Sequence, residues 1–246
     1  MNRYGTLDVA AREAGAPELS AMAREPWTLK GQVLDCRTEI SAAAGDVLIP
    51  PSLRPAIPSY GGFAVSRFTD TPVGAFNLAE LRVGVRVGAI ASFVVVGAVC
   101  DSEAARTALA ERWGYRTIAG EVSLQELYHQ VLARVSVAGR PALQLKFSHR
   151  KLLPGTRLNV PSIVNLASRE GRLVLAHAPV NAVYAQADGG SYAIEAFDGE
   201  VFGAGRAFQP SFPMSAAFGP AEITIGAVDY LIDPVTPAEE SLSAVA

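Results

Sequence analysis

From Gly31 onward the chain reads as short apolar runs, many of them alternating, punctuated by Gly, Pro and Asp. That rhythm predicts an antiparallel β protein. Leu81 to Val99 (LRVGVRVGAIASFVVVGAV) predicts two strands folded about Gly88. In Ala142–Ser148, Leu143, Leu145 and Phe147 fall on one face, and Gln144, Lys146 and Ser148 on the other. Further strands are expected at 173–177, 192–197 and 223–230. The prolines of Ile49–Pro55 remove donors and restrict their predecessors, so that stretch is expected to be irregular.

One helix stands out. Asp101 or Ser102 can cap it, Glu103 lies in its first turn, and Ala105, Leu109 and Trp113 recur every four residues before Gly114 ends it. Ser123-Leu-Gln-Glu126 has capping-box spacing, and the apolar positions to Val135 predict a second helix, with a strand over 130–137 as the alternative. Residues 1–26 read as a short helix or an arm packing on a neighbour, 27–235 as the globular domain, and 236–246 as a polar, flexible tail.

The 246 residues are 50% hydrophobic and 18% charged, enough apolar content for one substantial core. A net charge of -3 argues against nucleic acid as a partner. No apolar run is long enough to span a bilayer as a helix, and the N-terminal stretch lacks the pattern of a secretory signal. A cytoplasmic protein with no membrane association is therefore expected, with Cys36 and Cys100 as buried, reduced thiols.

Five stretches, in order, carry a resemblance: Ile49-Pro-Pro-Ser-Leu-Arg-Pro55, Ala75-Phe-Asn-Leu-Ala-Glu-Leu81, Asp101–Ile118, Arg140-Pro-Ala-Leu-Gln-Leu-Lys146 and Pro220-Ala-Glu-Ile-Thr-Ile225. With them the chain resembles the acetoacetate decarboxylase-like superfamily from about Trp27 to Pro234. The resemblance implies a mainly β (α+β) fold: an antiparallel β-barrel or cone with one or two helices around an apolar pocket, commonly in homo-oligomers. Members that decarboxylate carry Gly-Arg-Glu and then Pro-Lys-Lys, whose first lysine forms an imine with the substrate. Burial beside a second cation is what makes such a lysine nucleophilic near neutrality. Here Glu111 matches the glutamate, Leu109 and Ala110 replace Gly-Arg, Arg116 replaces the proline, and Thr117 and Ile118 replace the lysines. No lysine lies between Lys30 and Lys146, and the family's second pocket glutamate, due near Ala64–Ser66, is also missing.

Glu80 matches the retained family glutamate and is the candidate general acid or base; the alternative is a strand glutamate paired with Arg82 or solvated. Arg116 is a candidate for binding a carboxylate or enolate, because guanidinium offers a rigid donor fork. Its alternative is an ion pair with Glu111 or Glu121. Tyr115 and Thr117 could donate to a carbonyl oxygen, Trp113 is core or cavity wall, and Lys146 is a displaced lysine or a structural one. His129, His149 and His177 share no ligand spacing, so no metal is expected. Ser162 and Ser168 sit in no nucleophile-elbow context. No glycine motif cradles a phosphate, so no organic cofactor is expected.

These residues lead to one expected function: a lysine-independent enzyme of specialised metabolism that cyclises, dehydrates or rearranges an apolar, carbonyl-rich, polyketide-like small molecule. Glu80, Arg116 and Thr117 would be catalytic, with Tyr115, Glu111, Trp113 and Lys146 binding substrate. The alternatives are a decarboxylase or aldolase-dehydratase on a β-keto acid, and a non-catalytic binder or pseudoenzyme subunit.

Overall fold

The computed structural model describes residues 3–153, 160–237 and 242–244. Its strands are β1 (Trp27–Ile40), β2 (Arg54–Pro55), β3 (Tyr60–Asp70), β4 (Phe76–Val87), β5 (Ile90–Cys100), β6 (Thr117–Ala119), β7 (Glu121–Glu126) and β8 (Gln130–Val137). They continue with β9 (Arg140–Leu153), β10 (Ser162–Arg169), β11 (Arg172–Ala178), β12 (Val180–Tyr184), β13 (Ala187–Phe197), β14 (Pro210–Ile225), β15 (Tyr230–Ile232) and β16 (Leu242–Ala244). Two α-helices accompany them, α1 (Ala42–Asp46) and α2 (Glu103–Trp113).

The strands form one large sheet in the order β16-β15-β11-β10-β5-β4-β3-β1-β14-β13-β9-β8-β7, with β2, β6 and β12 attached at its side. The mainly β fold is as expected, but the sheet is neither closed nor purely antiparallel. Its two ends do not pair, and β5 runs parallel to both β10 and β6. The sheet curls instead, so that β7 packs across β3, β4 and β5.

Curling creates two cores. On the inner face, Val122, Leu124, Leu143 and Phe147 from the β7–β9 arm meet Leu34, Phe63, Leu81 and Val83. On the opposite face, Leu29, Phe68, Leu78 and Ile225 are covered by α2 and by Leu19 and Ala23 of the N-terminal segment. That segment, with a 3-10 helix at Ala10–Gly15, packs on its own chain: Leu19 donates to the Ser168 carbonyl at 2.8 Å.

Helix α2 forms as its sequence predicts. Ser102 Oγ accepts from the Ala105 amide at 3.3 Å, and Ala105, Leu109 and Trp113 are its buried side chains. Gly114 ends it with φ +70, a conformation that favours glycine. A Cβ there would also lie 2.7 Å from that of Ala167.

The second expected helix is a hairpin instead, β7 and β8 turning at 127–130. Val122, Leu124, Val131, Ala133 and Val135 bury at period two and join the β9 side chains across the sheet. The capping-box spacing is coincidental, because Glu126 accepts from Arg150 at 2.6 Å. The alternating β-branched residues prefer the pleated, half-buried surface. Of the expected tail, residues 242–244 pair with β15, and 238–241 and 245–246 lie outside the described residues. Both cysteines are free and buried.

Candidate functional site

Strand alternation places charge under the second core. Leu29, Val33 and Asp35 of β1 share a face, as do Ser66 and Phe68 of β3, and Leu78, Glu80 and Arg82 of β4. The cross-strand neighbours of Glu80 are Ala64 and Ala98, so small residues flank the carboxylate and leave a hollow above it. Glu80 is 2% exposed.

A buried carboxylate is tolerable only when paired. Glu80 Oε2 accepts from Arg82 Nη2 in a short contact, and Arg82 Nη1 lies 3.6 Å from Asp35 Oδ2. Asp35 Oδ1 in turn lies 3.3 Å from Arg37 Nε. Burial works against the Arg82 charge, but Glu80 first, then Tyr115 and Asp35, hold the guanidinium firmly as a cation. Two atoms of this network are left over: Glu80 Oε1 and Arg82 Nε are buried with no hydrogen-bond partner. One buried ion pair therefore carries both an orphan acceptor and an orphan donor, and such groups call for an explanation.

Tyr115 reaches the same place because Gly114 reverses the chain out of α2. The Gly114 amide donates to Ala110 and the Tyr115 amide to Leu109, while Asn165 Nδ2 holds the Trp113 carbonyl at 2.8 Å. The phenol lies beside Glu80. Burial, and then the Glu80 charge, push its pKa well above the usual value, so Tyr115 is a proton donor and never a base near neutrality. Tyr184 is raised as well, by burial and then Asp35.

These polar groups line an otherwise apolar cavity with Leu29, Val33, Ile163 and Ile225. Its void, mouth included, is about 490 Å³, yet only about 30 Å³ admits the centre of a water-sized sphere. That is room for roughly two small groups. The enclosed space is too small for a polyketide-sized body.

Of the residues expected at the site, the structure brings Glu80 and Tyr115 together. Arg116 is exposed on the other side, because with Tyr115 inward the next side chain must point outward. Its guanidinium lies against Gly15 and Gly203, and no ion pair joins it to Glu111 or Glu121 among the described residues. Thr117 is opposite Ala98, which is itself opposite Glu80. Two strand spacings, about 10 Å of backbone, separate them, and Thr117 does not line the cavity. Glu111 is half-buried on α2, away from the cavity. Trp113 is core: its Nε1 donates to the Gly226 carbonyl at 2.7 Å, and its ring meets Trp27 edge-on at 5.3 Å. Lys146 faces away from buried Leu145 and Phe147, opposite Leu132 and Ala193, and stays half-exposed.

Asp35, Ser66 and Tyr184 were not singled out by the sequence, and Arg82 only as an ion-pair partner. A usable signal existed in Asp35-x-Arg37 and Glu80-x-Arg82, charges two apart inside otherwise apolar strands. His177 has an acidic partner that the sequence did not reveal: its Nδ1 lies 2.6 Å from Asp229 Oδ1, and its Nε2 3.4 Å from Ser92 Oγ. The pair lies 52 positions apart in the chain, so spacing could not reveal it. Ser92 is fully buried and lines neither the cavity over Glu80 nor the slot beside Leu166, which makes this a structural tie rather than a nucleophile. Among the described residues no three His, Cys, Asp or Glu side chains converge as metal ligands, and no helix is long and apolar enough to cross a membrane.

No protein-family model matches the chain, and no curated protein is significantly similar to it in sequence. Solved structures are similar in fold. The enduracididine biosynthesis enzyme MppR with HEPES buffer bound aligns over 86% of this chain and 89% of its own, with TM-score 0.70 and 16% identity. An acetoacetate decarboxylase aligns over 84% and 89%, with TM-score 0.69 and 14% identity. The acetoacetate decarboxylase of Legionella pneumophila aligns over 91% and 88%, with TM-score 0.68 and 12% identity. MppR has also been solved with pyruvate, and with the condensation product of pyruvate and imidazole 4-carboxaldehyde. The open, curled β-sheet thus has the acetoacetate decarboxylase-like fold.

Proposed function

We propose that the hollow over Glu80 is the reaction centre of a lysine-independent enzyme that moves a proton at the carbon next to a substrate carbonyl. The observation that carries this reading is the pair of orphan atoms, Glu80 Oε1 and Arg82 Nε, which belong to one buried ion pair whose two residues line an apolar cavity. A carbonyl oxygen accepting from Arg82 Nε and from the Tyr115 phenol places its α-carbon over Glu80 Oε1. Glu80 takes the α-proton, and the two donors hold the negative charge that moves onto oxygen. The enolate then expels a β-hydroxyl as water using the proton Glu80 carries, attacks a second carbonyl to close a ring, or is reprotonated. Dehydration, cyclisation and rearrangement are three exits from one intermediate.

The narrow cavity favours a small keto compound, or the keto end of a longer metabolite whose remainder stays at the mouth. MppR carries pyruvate and a pyruvate condensation product on the same fold, which supports carbonyl chemistry of this kind in a biosynthetic setting. Arg116, Thr117, Glu111, Trp113 and Lys146 have no part in this mechanism, since none lines the cavity.

The test is borohydride added while the protein consumes pyruvate, a β-hydroxy ketone or a β-keto acid, followed by intact mass. Consumption with every lysine unmodified, and its loss in Glu80→Gln, is the expected result. An adduct on Lys146 or any other lysine would move the reaction to imine chemistry. A ligand that binds and is released unchanged would make the hollow a binding pocket only.

A further inference from the structure

The outer face of the Gly114–Thr117 segment carries a second cluster, unrelated to Glu80. Arg12, from the N-terminal 3-10 helix, donates through Nη2 to the Gly203 carbonyl at 2.8 Å. A Cβ placed on Gly203 would lie 3.3 Å from Arg12 Nη1 and 3.0 Å from Arg116 Nη1, so the two nitrogens are at most roughly 6 Å apart. A Cβ on Gly15 would lie 3.5 Å from Arg116 Nη2. Two glycines, one with φ +70, thus make space for two neighbouring guanidinium groups.

Like charges this close repel, and ordinarily a carboxylate would sit between them. Among the described residues neither arginine has an acidic partner. The one acid on the same wall, Asp8, uses Oδ1 to accept from the Ala11 amide at 3.2 Å. Burial, reinforced by Arg116, lowers the Arg12 pKa, which agrees with an uncompensated pair.

The arginines stand where an open vestibule of about 510 Å³ meets a slot that admits a water-sized sphere centre over only about 40 Å³. The slot is apolar, walled by Leu48, Pro50, Val94, Val96 and Leu166. A cationic rim over a short apolar slot matches one ligand chemistry.

We infer that Arg12 and Arg116 form a binding site for a carboxylate on a short alkyl chain, the anion held by the guanidinium pair and the chain inserted between Leu48 and Leu166. The anion removes the repulsion between the arginines and accepts their free N–H groups. The slot sets the chain length.

Calorimetric titration of acetate, butanoate and hexanoate, with butanol as the neutral control, tests this. Affinity is expected to rise about fourfold per methylene from acetate to butanoate, the increment of a buried CH₂, and to level off once the slot is full. Arg12→Gln and Arg116→Gln are each expected to weaken butanoate at least tenfold, with thermal melts showing both variants folded. Glu80→Gln should leave butanoate binding unchanged, so this site and the proposed reaction centre stand or fall separately. Butanol binding as well as butanoate, an unaffected Arg116→Gln, or no carboxylate binding at millimolar concentration would each overturn the site. So would a dimer that Arg116→Gln dissociates while butanoate stays inert, since the arginines would then hold an acidic group of a second copy.

Discussion

Arg82 and Arg116 are both arginines beside Tyr115's segment, yet their surroundings differ in kind. Arg82 is buried between two carboxylates, and its charge is balanced within the fold. Arg116 is exposed beside another arginine and has no counter-charge among the described residues. Burial forces neutralisation, because an unpaired charge under a core costs several kcal/mol. A surface pair is solvated and can wait for an incoming anion. The inner cluster therefore reads as a fixed, preorganised centre and the outer one as a docking point for something not in the chain.

Breaking the inner cluster should have the largest effect. Arg82→Met leaves Glu80 buried without its cation, while Asp35 keeps Arg37, and about 3–5 kcal/mol of stability should be lost in denaturant titration. Arg116→Gln, by contrast, should shift the midpoint little, as exposed charges contribute little to stability. An equal loss in both would erase the distinction.

Leu109→Ala probes the packing that holds Tyr115 over the inner cluster. A truncated, fully buried leucine should cost about 2–5 kcal/mol. Gly114→Ala combines a left-handed backbone with a contact against Ala167 and should cost about 1–2 kcal/mol or more. Both should loosen the Tyr115 position and reduce any reaction at Glu80, while leaving butanoate binding at Arg12 and Arg116 the less affected of the two.

The smallest effect expected is one of pH. The Cys100 thiol, pushed up to about 11 chiefly by burial from an ordinary 9.0, favours the neutral form in the folded chain. Its contribution to stability is complete below about pH 9 and is lost as pH rises from 9 towards 11. Cys100→Ala should flatten the decline in that window. Native protein at pH 8 should also resist iodoacetamide at both cysteines, and unfolded protein should not.

The sequence made one part of this picture legible and hid another. Helix α2 was readable because cap, periodic Leu109 and Trp113, and terminating Gly114 all agree locally. The β4–β5 hairpin was readable from alternation about Gly88. The β7–β8 hairpin was not, because Ser123 and Glu126 mimic a helix start and only pairing with β9 decides the matter. Glu80 could be found by likeness to a family, and Tyr115 by its neighbourhood. Asp35 lies 45 positions upstream of Glu80, and only register across β1, β3 and β4 joins them. The placement of Arg116 outside depends on the parity of one residue after a glycine turn, which spacing alone could not settle.

The most direct test of the inner cluster is deuterium uptake at the α-carbon of an enolisable ketone in D₂O, followed by proton NMR. Wild-type protein should catalyse exchange with no decline up to about pH 10, since Tyr115 remains protonated past its ordinary range. Glu80→Gln should slow that exchange by a factor of about 10² to 10⁴, the usual contribution of a positioned general base. Exchange that persists in Glu80→Gln, or is absent from the wild type with every carbonyl compound that binds, would contradict the assignment of Glu80 as the base.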